Sequence, residues 1–148
     1  MNIFYLDHDP LMAAKYHCDK HVVKMILESA QLVSTTHHLR PVGCHDVYKA
    51  THKEHPCTLG VVLGKGGFKW LKQLALVLCD EYTFRYGKVH ASQAIFEPLP
   101  MPDIQFNIRT PVRQAMPVEF KRKCPVEAYR AYYHSKTSAQ WPYSSPPK

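Results

Sequence analysis

The sequence predicts a mainly α-helical fold: a compact bundle of two long and two shorter helices, with a short N-terminal strand or arm and a long proline-rich loop. Two stretches carry apolar side chains at helical spacing, and glycines and prolines cluster between such stretches. The 148 residues suit a single domain over 1–148. A hydrophobic content of 45% is too high for a disordered protein.

The first helix is expected over residues 9–37, because Asp9 is a good N-cap and Pro10 suits the first turn. At 100° per residue, one broad arc of this helix is apolar and the opposite arc is polar. The apolar arc contains Met12, Tyr16, Val22, Val23, Ile26, Leu27, Ala30 and Val33, and the polar arc contains His17, Lys20, His21, Lys24, Glu28 and Gln31. Residues 1–7 are the expected strand or arm.

Residues 46–52 are predicted to form a short helix, followed by a flexible glycine-rich connector over residues 60–67 that lacks the spacing of a phosphate loop. The second long helix is predicted over residues 68–86, with Gly87 as its stop and Glu81–Arg85 as a surface ion pair. The remaining segments are a proline-rich loop over residues 98–125, a last helix over 125–136 and an extended tail over 140–148.

The formal charge of +7 is unevenly placed. Residues 1–50 hold five basic and five acidic side chains, residues 51–100 hold six and four, and residues 101–148 hold eight and three. A basic excess in one part of the chain favours a polyanionic partner. The alternative is an ordinary solvated positive face.

Other classes of protein are not expected. No apolar run approaches the ~20 residues of a membrane span, and no basic region precedes the short apolar stretch at the N-terminus, so a signal peptide is not predicted. The cysteines form no Cys-x-x-Cys pair, which predicts free thiols in a reducing, cytoplasmic compartment. They are Cys18, Cys44, Cys57, Cys79 and Cys124.

Asp19 is the first candidate catalytic residue. By helical angle it falls near the centre of the apolar arc, where an unpaired carboxylate costs several kcal/mol. It should therefore pair, bind a metal or hold a proton, and a buried carboxylate suits acid–base catalysis. The alternatives are a structural carboxylate that holds a neighbouring loop, or a helix that begins later.

Eight of the ten histidines lie between positions 8 and 55. His17 and His21 are one turn apart, and we expect them to line a catalytic site with His52 and His55. No recognised zinc motif is present, so no cofactor is predicted. The alternative is a zinc site built from His17, His21, His52 and Cys57.

Basic and aromatic side chains indicate contacts with DNA. The residues expected to hold phosphates are Lys20, Lys24, Arg109, Arg113, Lys121, Arg122 and Lys123. The aromatic residues that could stack on an unpaired base are Tyr129, Tyr132, Tyr133 and Trp141. For the tyrosines, the alternative is a buried helix face.

Several motifs resemble a small protein family common in tailed-phage genomes, which implies a phage origin and the host cytoplasm. They are MNIFYLD at 1–7, HCDKHVVKM at 17–25, YKATH at 48–52 with His55-Pro56, DEYTFRYGK at 80–88, QAMP at 114–117 and AYRAYY at 128–133.

The chain also resembles the phage pyrimidine-dimer DNA glycosylases, which are small, helical and basic and have a short arm before a helix similar to residues 11–16. This resemblance implies an extruded nucleotide, attack on its sugar by the N-terminal amine, and a helix carboxylate whose place Asp19 nearly takes. The chain departs from that pattern, because Asn2 would leave Met1 attached and Cys18, Lys20 and His21 stand where arginines are expected.

The sequence therefore predicts a DNA-acting phage enzyme that works on an extruded nucleotide, either an N-glycosylase/lyase or an amino-acid-to-DNA transferase that modifies thymine. One alternative is a zinc-dependent hydrolase or nuclease. Another is a non-enzymatic protein that binds nucleic acid or a host protein. No oligomeric state is predicted.

Overall fold

A computed structural model describes residues 1–136 and 146–147 of the chain, and within them the protein is mainly helical, as predicted. The helices are α1 (Pro10–Tyr16), α2 (Asp19–Leu39), α3 (Pro56–Val62), α4 (Lys65–Tyr86), α5 (Gln93–Phe96) and α6 (Pro125–Ser135), with a 3-10 turn at Val118–Phe120. The described residues contain no strand, so residues 1–7 form an arm.

The two long helices α2 and α4 pack against each other, and α1 and α3 both pack on α4. The N-terminal arm belongs to the core of this bundle: Ile3, Phe4, Tyr5 and Leu6 are all buried, Leu6 completely. Burial of large apolar side chains contributes roughly 1.5–3 kcal/mol each. Burial of residues 3–6 therefore anchors the arm in the core.

The predicted single helix over residues 9–37 is wrong in one respect: it breaks at His17 and Cys18, whose backbones are extended. Arg85 of α4 stabilises the break, because its guanidinium donates to the carbonyl oxygens of His17 at 2.7 Å and Lys15 at 3.1 Å. The break changes the helical phase. The predicted apolar arc is therefore partly wrong, with Val23 and Leu27 exposed.

The start of this helical region was predicted correctly. Asp9 caps α1 by accepting a hydrogen bond from the Leu11 amide at 3.0 Å, and Pro10 is the first helical residue. Helix α4 also matches its prediction, since it ends at Tyr86 with Gly87 in the left-handed conformation at φ 69°. The last helix, α6, covers almost all of the predicted range.

Residues 46–52 do not form the predicted helix. Side chains of α2 bind their backbone instead: the Ser34 hydroxyl accepts from the Tyr48 amide at 3.1 Å, and Thr35 Oγ1 accepts from the Thr51 amide at 3.0 Å. Hydrogen bonds to polar side chains of α2 thus replace the backbone hydrogen bonds that a helix would make.

The glycine-rich segment is not the predicted flexible connector, since it contains the end of α3 and the start of α4. The amides of Lys65 and Gly66 donate to the carbonyls of Phe106 and Ile108, both at 3.0 Å. A Cβ on Gly64 would lie 2.4 Å from the Ile108 oxygen, so glycine is required for this close approach. The donors at the start of α4 are occupied by the chain's own proline-rich loop.

The proline-rich loop over residues 98–125 is present as predicted, with the 3-10 turn inside it. The Glu81–Arg85 pair also forms, at 3.0 Å, but it is not a surface pair because the Arg85 side chain is only 2% exposed. Of the extended tail predicted over residues 140–148, only 146–147 lie within the described residues.

Candidate active site

The arm is fixed along its length by side chains of α2, α4 and α6. Phe4 stacks on His21 of α2 at 4.6 Å between ring centroids, and Tyr5 stacks on Trp70 of α4 at 4.4 Å. Arg130 of α6 donates to the Leu6 carbonyl at 2.7 Å and to Asp7 at 2.8 Å. These contacts direct the start of the chain toward the middle of α2.

The α-amino group of Met1 lies 3.4 Å from Oε1 of Glu28. The Glu28 side chain is 13% exposed, and its second oxygen, Oε2, is buried with no hydrogen-bond partner among the described residues. A buried carboxylate oxygen normally has a donor. This pair therefore places a nucleophilic amine beside a carboxylate that still has the capacity to accept a proton.

Asn2 holds the arm just after this amine. Its side-chain nitrogen donates to the Ala115 carbonyl at 2.9 Å, and its oxygen lies 2.8 Å from the Ile3 amide and 3.0 Å from the Tyr129 hydroxyl. Cys57 contacts the same oxygen through its thiol at 3.9 Å. The residue that follows the amine is thus bound to the proline-rich loop and close to α3 and α6.

Met1 and Glu28 both line an open polar pocket of about 260 Å³. Its lining comprises Met1, Asn2, Phe4, His21, Lys24, Met25, Glu28, Ala115, Tyr132 and Lys136. Glu28 is the one acidic residue in that lining, and two lysines accompany it. The pocket therefore suits a ligand that carries negative charge.

His21 forms one wall of this pocket. The Tyr133 hydroxyl accepts from the Cys18 amide at 2.8 Å and is hydrogen-bonded to Nδ1 of His21, also at 2.8 Å. Burial, followed by the positive charges of Lys136, Lys24 and Lys20, lowers the pKa of His21 to about 4. At neutral pH this imidazole is therefore uncharged.

His55 is not among the residues that line this pocket, although its pKa is affected by the Met1 amine and Glu28. Its Nδ1 accepts the Cys57 amide at 3.1 Å and so caps α3, which leaves the proton of the neutral ring on Nε2. Burial lowers the pKa of His55, and the nearby Met1 amine and His52 lower it further, against the opposite effect of Glu28. His21 therefore lines the pocket as a neutral imidazole, and His55 is a second neutral imidazole within electrostatic range of the Met1–Glu28 pair.

The predicted burial of Asp19 is wrong. Asp19 is the first residue of α2, its side chain is 39% exposed, and it pairs with Arg85 at 3.1 Å. Because the break at His17 and Cys18 starts a new helix at Asp19, the angle that pointed Asp19 inward does not apply. The alternative of a structural carboxylate fits this geometry, and the more deeply buried carboxylate of α2 is Glu28.

The remaining predicted histidines also lie outside the pocket. His17 is completely buried, donates from Nδ1 to the Ala13 carbonyl at 2.6 Å, and has a pKa lowered by burial to about 3. It packs behind His21, against Phe4 and Tyr133. His52 is exposed in the turn before α3, with a left-handed φ of 48° and its ring 6.3 Å from that of His55.

The four alternative zinc ligands, His17, His21, His52 and Cys57, are not assembled into a site. Across residues 1–136 and 146–147, no three His, Cys, Asp or Glu side chains are grouped so as to hold a metal ion. Burial raises the pKa of the Cys57 thiol to about 11. Cys57 is therefore a protonated thiol, and no observation of the site favours the zinc alternative.

Four of the predicted phosphate-binding residues meet at an open groove of about 550 Å³, which we call the basic groove. It is lined by Pro111, Val112, Arg113, Gln114, Lys121, Arg122 and Lys123. Gln114 fixes its shape by accepting from the Arg122 amide at 3.0 Å and donating to the Arg122 carbonyl at 2.7 Å. Gln114 adjoins Ala115 of the pocket, so the groove and the pocket are neighbours.

The other predicted phosphate contacts are separate. Lys24 lines the pocket, and Lys20 is exposed at the start of α2. Arg109 lies over the rings of Trp70, at 5.3 Å, and Tyr5, at 5.9 Å. Arg109 is exposed, and such cation–π contacts stabilise the position of its guanidinium.

The predicted stacking role is wrong for two of the tyrosines. Tyr129 and Tyr133 are completely buried and belong to the core, which was the alternative. Tyr132 lines the pocket with Lys136 Nζ 4.5 Å from its ring centroid, so it remains available for stacking. Trp141 lies outside the described residues.

Sequence reasoning missed the Met1 amine and Glu28 as a pair. Glu28 was assigned to the polar arc, and the signal that could have singled it out is a lone carboxylate among lysines and histidines on that arc. The uninterrupted apolar run over residues 3–6 could have predicted a buried arm. Only the fold brings the two groups together.

No family model, curated protein or solved structure matches this chain. Within the described helices, none combines the length and the hydropathy needed to cross a membrane.

Proposed function

We propose that the protein is a DNA N-glycosylase/lyase that acts on an extruded nucleotide, with the α-amino group of Met1 as nucleophile and Glu28 as its acid–base partner. The single observation that carries the proposal is the 3.4 Å contact between this amine and Glu28 in an open polar pocket. An amine activated by an adjacent base forms covalent intermediates with carbon centres.

In this mechanism the carboxylate of Glu28 first takes one proton from the ammonium group, which frees the nitrogen lone pair. The nitrogen attacks C1′ of the sugar, the bond from C1′ to the base breaks, and its electron pair leaves with the base, which takes a second amine proton. Glu28 then gives its proton to O4′ as the C1′–O4′ bond opens. The product is an iminium between Met1 and C1′. In the lyase step Glu28 takes a proton from C2′, the bond from C3′ to its oxygen breaks, and the electron pair leaves with the 3′ phosphate. Water then hydrolyses the iminium and releases the amine.

The surroundings of the pair support a nucleotide as substrate. Enzymes that act on a base within DNA extrude the nucleotide into a pocket. Lys24 and Lys136 line this pocket, and their ammonium groups would suit contacts with its phosphates. The basic groove adjoins the pocket and supplies four cations for the neighbouring backbone. The neutral imidazole of His21 adds a hydrogen-bonding group without further charge.

The proposal is tested by incubating the protein with DNA duplexes that carry an abasic site, a thymine dimer or neither, in the presence of sodium cyanoborohydride. Reduction of the iminium would link the protein irreversibly to DNA, and we expect this adduct with one of the first two duplexes. Mass spectrometry of the untreated protein must show a free amine on Met1. Absence of any adduct with a protein that binds these duplexes contradicts the proposal.

A non-enzymatic nucleic-acid-binding protein is the second candidate, because the basic groove by itself suits a phosphate backbone. Salt-dependent DNA binding without any chemical change in the DNA would support it. A gain in the mass of the DNA, instead of base loss, would identify the amino-acid-to-DNA transferase.

A further inference from the structure

The Tyr129 hydroxyl lies where the pocket and the basic groove meet. The side chain is completely buried, yet its oxygen has three polar neighbours: the Arg113 carbonyl at 2.7 Å, the Asn2 side-chain oxygen at 3.0 Å and the Ala115 amide at 3.2 Å. The Ala115 amide donates to the hydroxyl, and the hydroxyl proton is shared between the other two oxygens. Phenylalanine would fill the same space without these bonds.

Asn2 completes a closed network with this hydroxyl. Its side-chain nitrogen donates to the Ala115 carbonyl, so residue 115 is bound on both its amide and its carbonyl. The network thereby joins three parts of the chain that are far apart in sequence: the residue after the amine, the loop segment 113–115 and helix α6. Buried polar networks that are fully satisfied hold their members rigidly.

The segment 113–115 belongs to both surfaces. Arg113 and Gln114 line the basic groove, while Ala115 lines the pocket beside Met1. Movement of this segment would shift the bound backbone relative to the amine. An offset of about 1 Å at a reacting centre costs on the order of a hundredfold in rate.

We infer that Tyr129, acting through Asn2 and the segment 113–115, is a positioning residue that holds DNA bound in the basic groove in register with the Met1 amine. This inference rests on the proposed function. Tyr129 itself does not touch the substrate, so its loss is expected to lower the rate of the chemical step and to leave DNA affinity nearly unchanged.

The test compares Tyr129→Phe with wild type in single-turnover trapping by cyanoborohydride and in DNA binding. The control is Tyr48→Phe, which removes a hydroxyl bonded to Ser92 away from the site. We expect Tyr129→Phe to slow trapping by about tenfold or more, with Kd changed by less than about twofold, and Tyr48→Phe to match wild type. The inference is overturned if Tyr129→Phe leaves the trapping rate unchanged, or if it lowers the trapping rate and the DNA affinity by the same factor.

A second variant, Asn2→Leu, tests whether the two residues act as one unit. Leucine has similar volume, and mass spectrometry verifies that Met1 is retained. We expect the double variant to be no slower than the slower single variant, since residues of one network are not additive. If the effects of the two single substitutions on the trapping rate multiply in the double variant, the inference is overturned. Wild type without any adduct refutes the proposed function as well, whereas adduct formation unaffected by Tyr129→Phe refutes this inference alone.

Discussion

The amine of Met1 and the carboxylate of Glu28 form an ion pair of 3.4 Å at the base of an open pocket. They are brought together because the N-terminal arm is packed into the core and held by stacking of Phe4 on His21. The contact thus depends on tertiary packing of the arm on α2.

The first prediction concerns Glu28. Glu28→Gln keeps the shape of the side chain but removes the base, so we expect the trapping rate to fall by about a hundredfold or more while the protein stays folded. Rates are measured in single turnover, with circular dichroism as the check on folding. The matched control is Glu127→Gln, an exposed residue in the first turn of α6, and an equal loss in that variant would argue against a specific role for Glu28.

The second prediction concerns Arg85, whose nearly buried side chain pairs with Asp19 and Glu81 and binds the carbonyls of Lys15 and His17. Arg85→Met leaves these acceptors unpaired, and we expect it to lower the free energy of unfolding by about 3 kcal/mol. Urea denaturation measures the change.

Two comparison variants interpret that result. Arg40→Met, at an exposed position, should change the free energy of unfolding by less than about 0.5 kcal/mol. Asp19→Asn removes one partly exposed partner of Arg85 and should cost less than about 1 kcal/mol without abolishing turnover. Complete loss of activity in a folded Asp19→Asn protein would show that the sequence-based assignment of Asp19 was right.

The third prediction is an acid-sensitive stability. His17 has a folded-state pKa of about 3 because of burial, against about 6.5 in an unfolded chain. The unfolded state therefore binds the extra proton between these values, and stability is lost as pH falls from about 6.5 toward 3, by about 1.4 kcal/mol per pH unit. His21, with a pKa of about 4, acts in the same direction.

Urea denaturation between pH 4 and pH 7 measures this slope. Phenylalanine cannot be protonated. His17→Phe should therefore reduce the slope of the free energy of unfolding against pH by the contribution of about one proton, even if the variant is less stable at pH 7. An unchanged slope in this variant would mean that His17 is not the residue whose protonation unfolds the protein.

The fourth prediction concerns the basic groove. Replacing Lys121 and Lys123 by glutamine should weaken DNA binding and reduce the slope of log K against log salt by about two, since each lysine neutralises one phosphate. The matched control replaces two exposed lysines of other surfaces, Lys69 and Lys88. Binding is measured by fluorescence anisotropy over a series of salt concentrations, and equal effects of the two double variants would exclude a specific role for the groove.

The fifth prediction uses two glycines of the same region. A Cβ at Gly64 would lie 2.4 Å from the Ile108 oxygen, whereas a Cβ at Gly60, within α3, would meet Arg113 Cγ at an ordinary 3.5 Å. Gly64→Ala should therefore destabilise the protein by about 1–3 kcal/mol, and Gly60→Ala should be neutral or stabilising by up to about 1 kcal/mol. Thermal unfolding of both variants checks the contrast, and the reverse order would contradict the packing of α4 on the loop.

The sequence predicted those elements that are encoded locally. Helix α4 has its apolar spacing and Gly87, and α1 has the Asp9 cap, so both could be placed without tertiary information. The break at His17 and Cys18 could not, because the groups that satisfy it come from Arg85, far along the chain.

The candidate site was predicted in part for the same reason. His21, His55 and the cations of the groove were identified by residue type, since histidine, lysine and arginine suit the expected chemistry. Glu28 was not, because its role depends on the Met1 amine, which reaches it only after the arm has packed into the core. One error in helical phase moved the expected carboxylate to Asp19.

The most direct test of the central claim is to locate the covalent bond in the trapped adduct. After reduction and nuclease and protease digestion, mass spectrometry should find the sugar remnant on the α-nitrogen of Met1, and acetylation of that amine beforehand should prevent adduct formation. A remnant on a lysine side chain, or full trapping by the acetylated protein, would contradict the account.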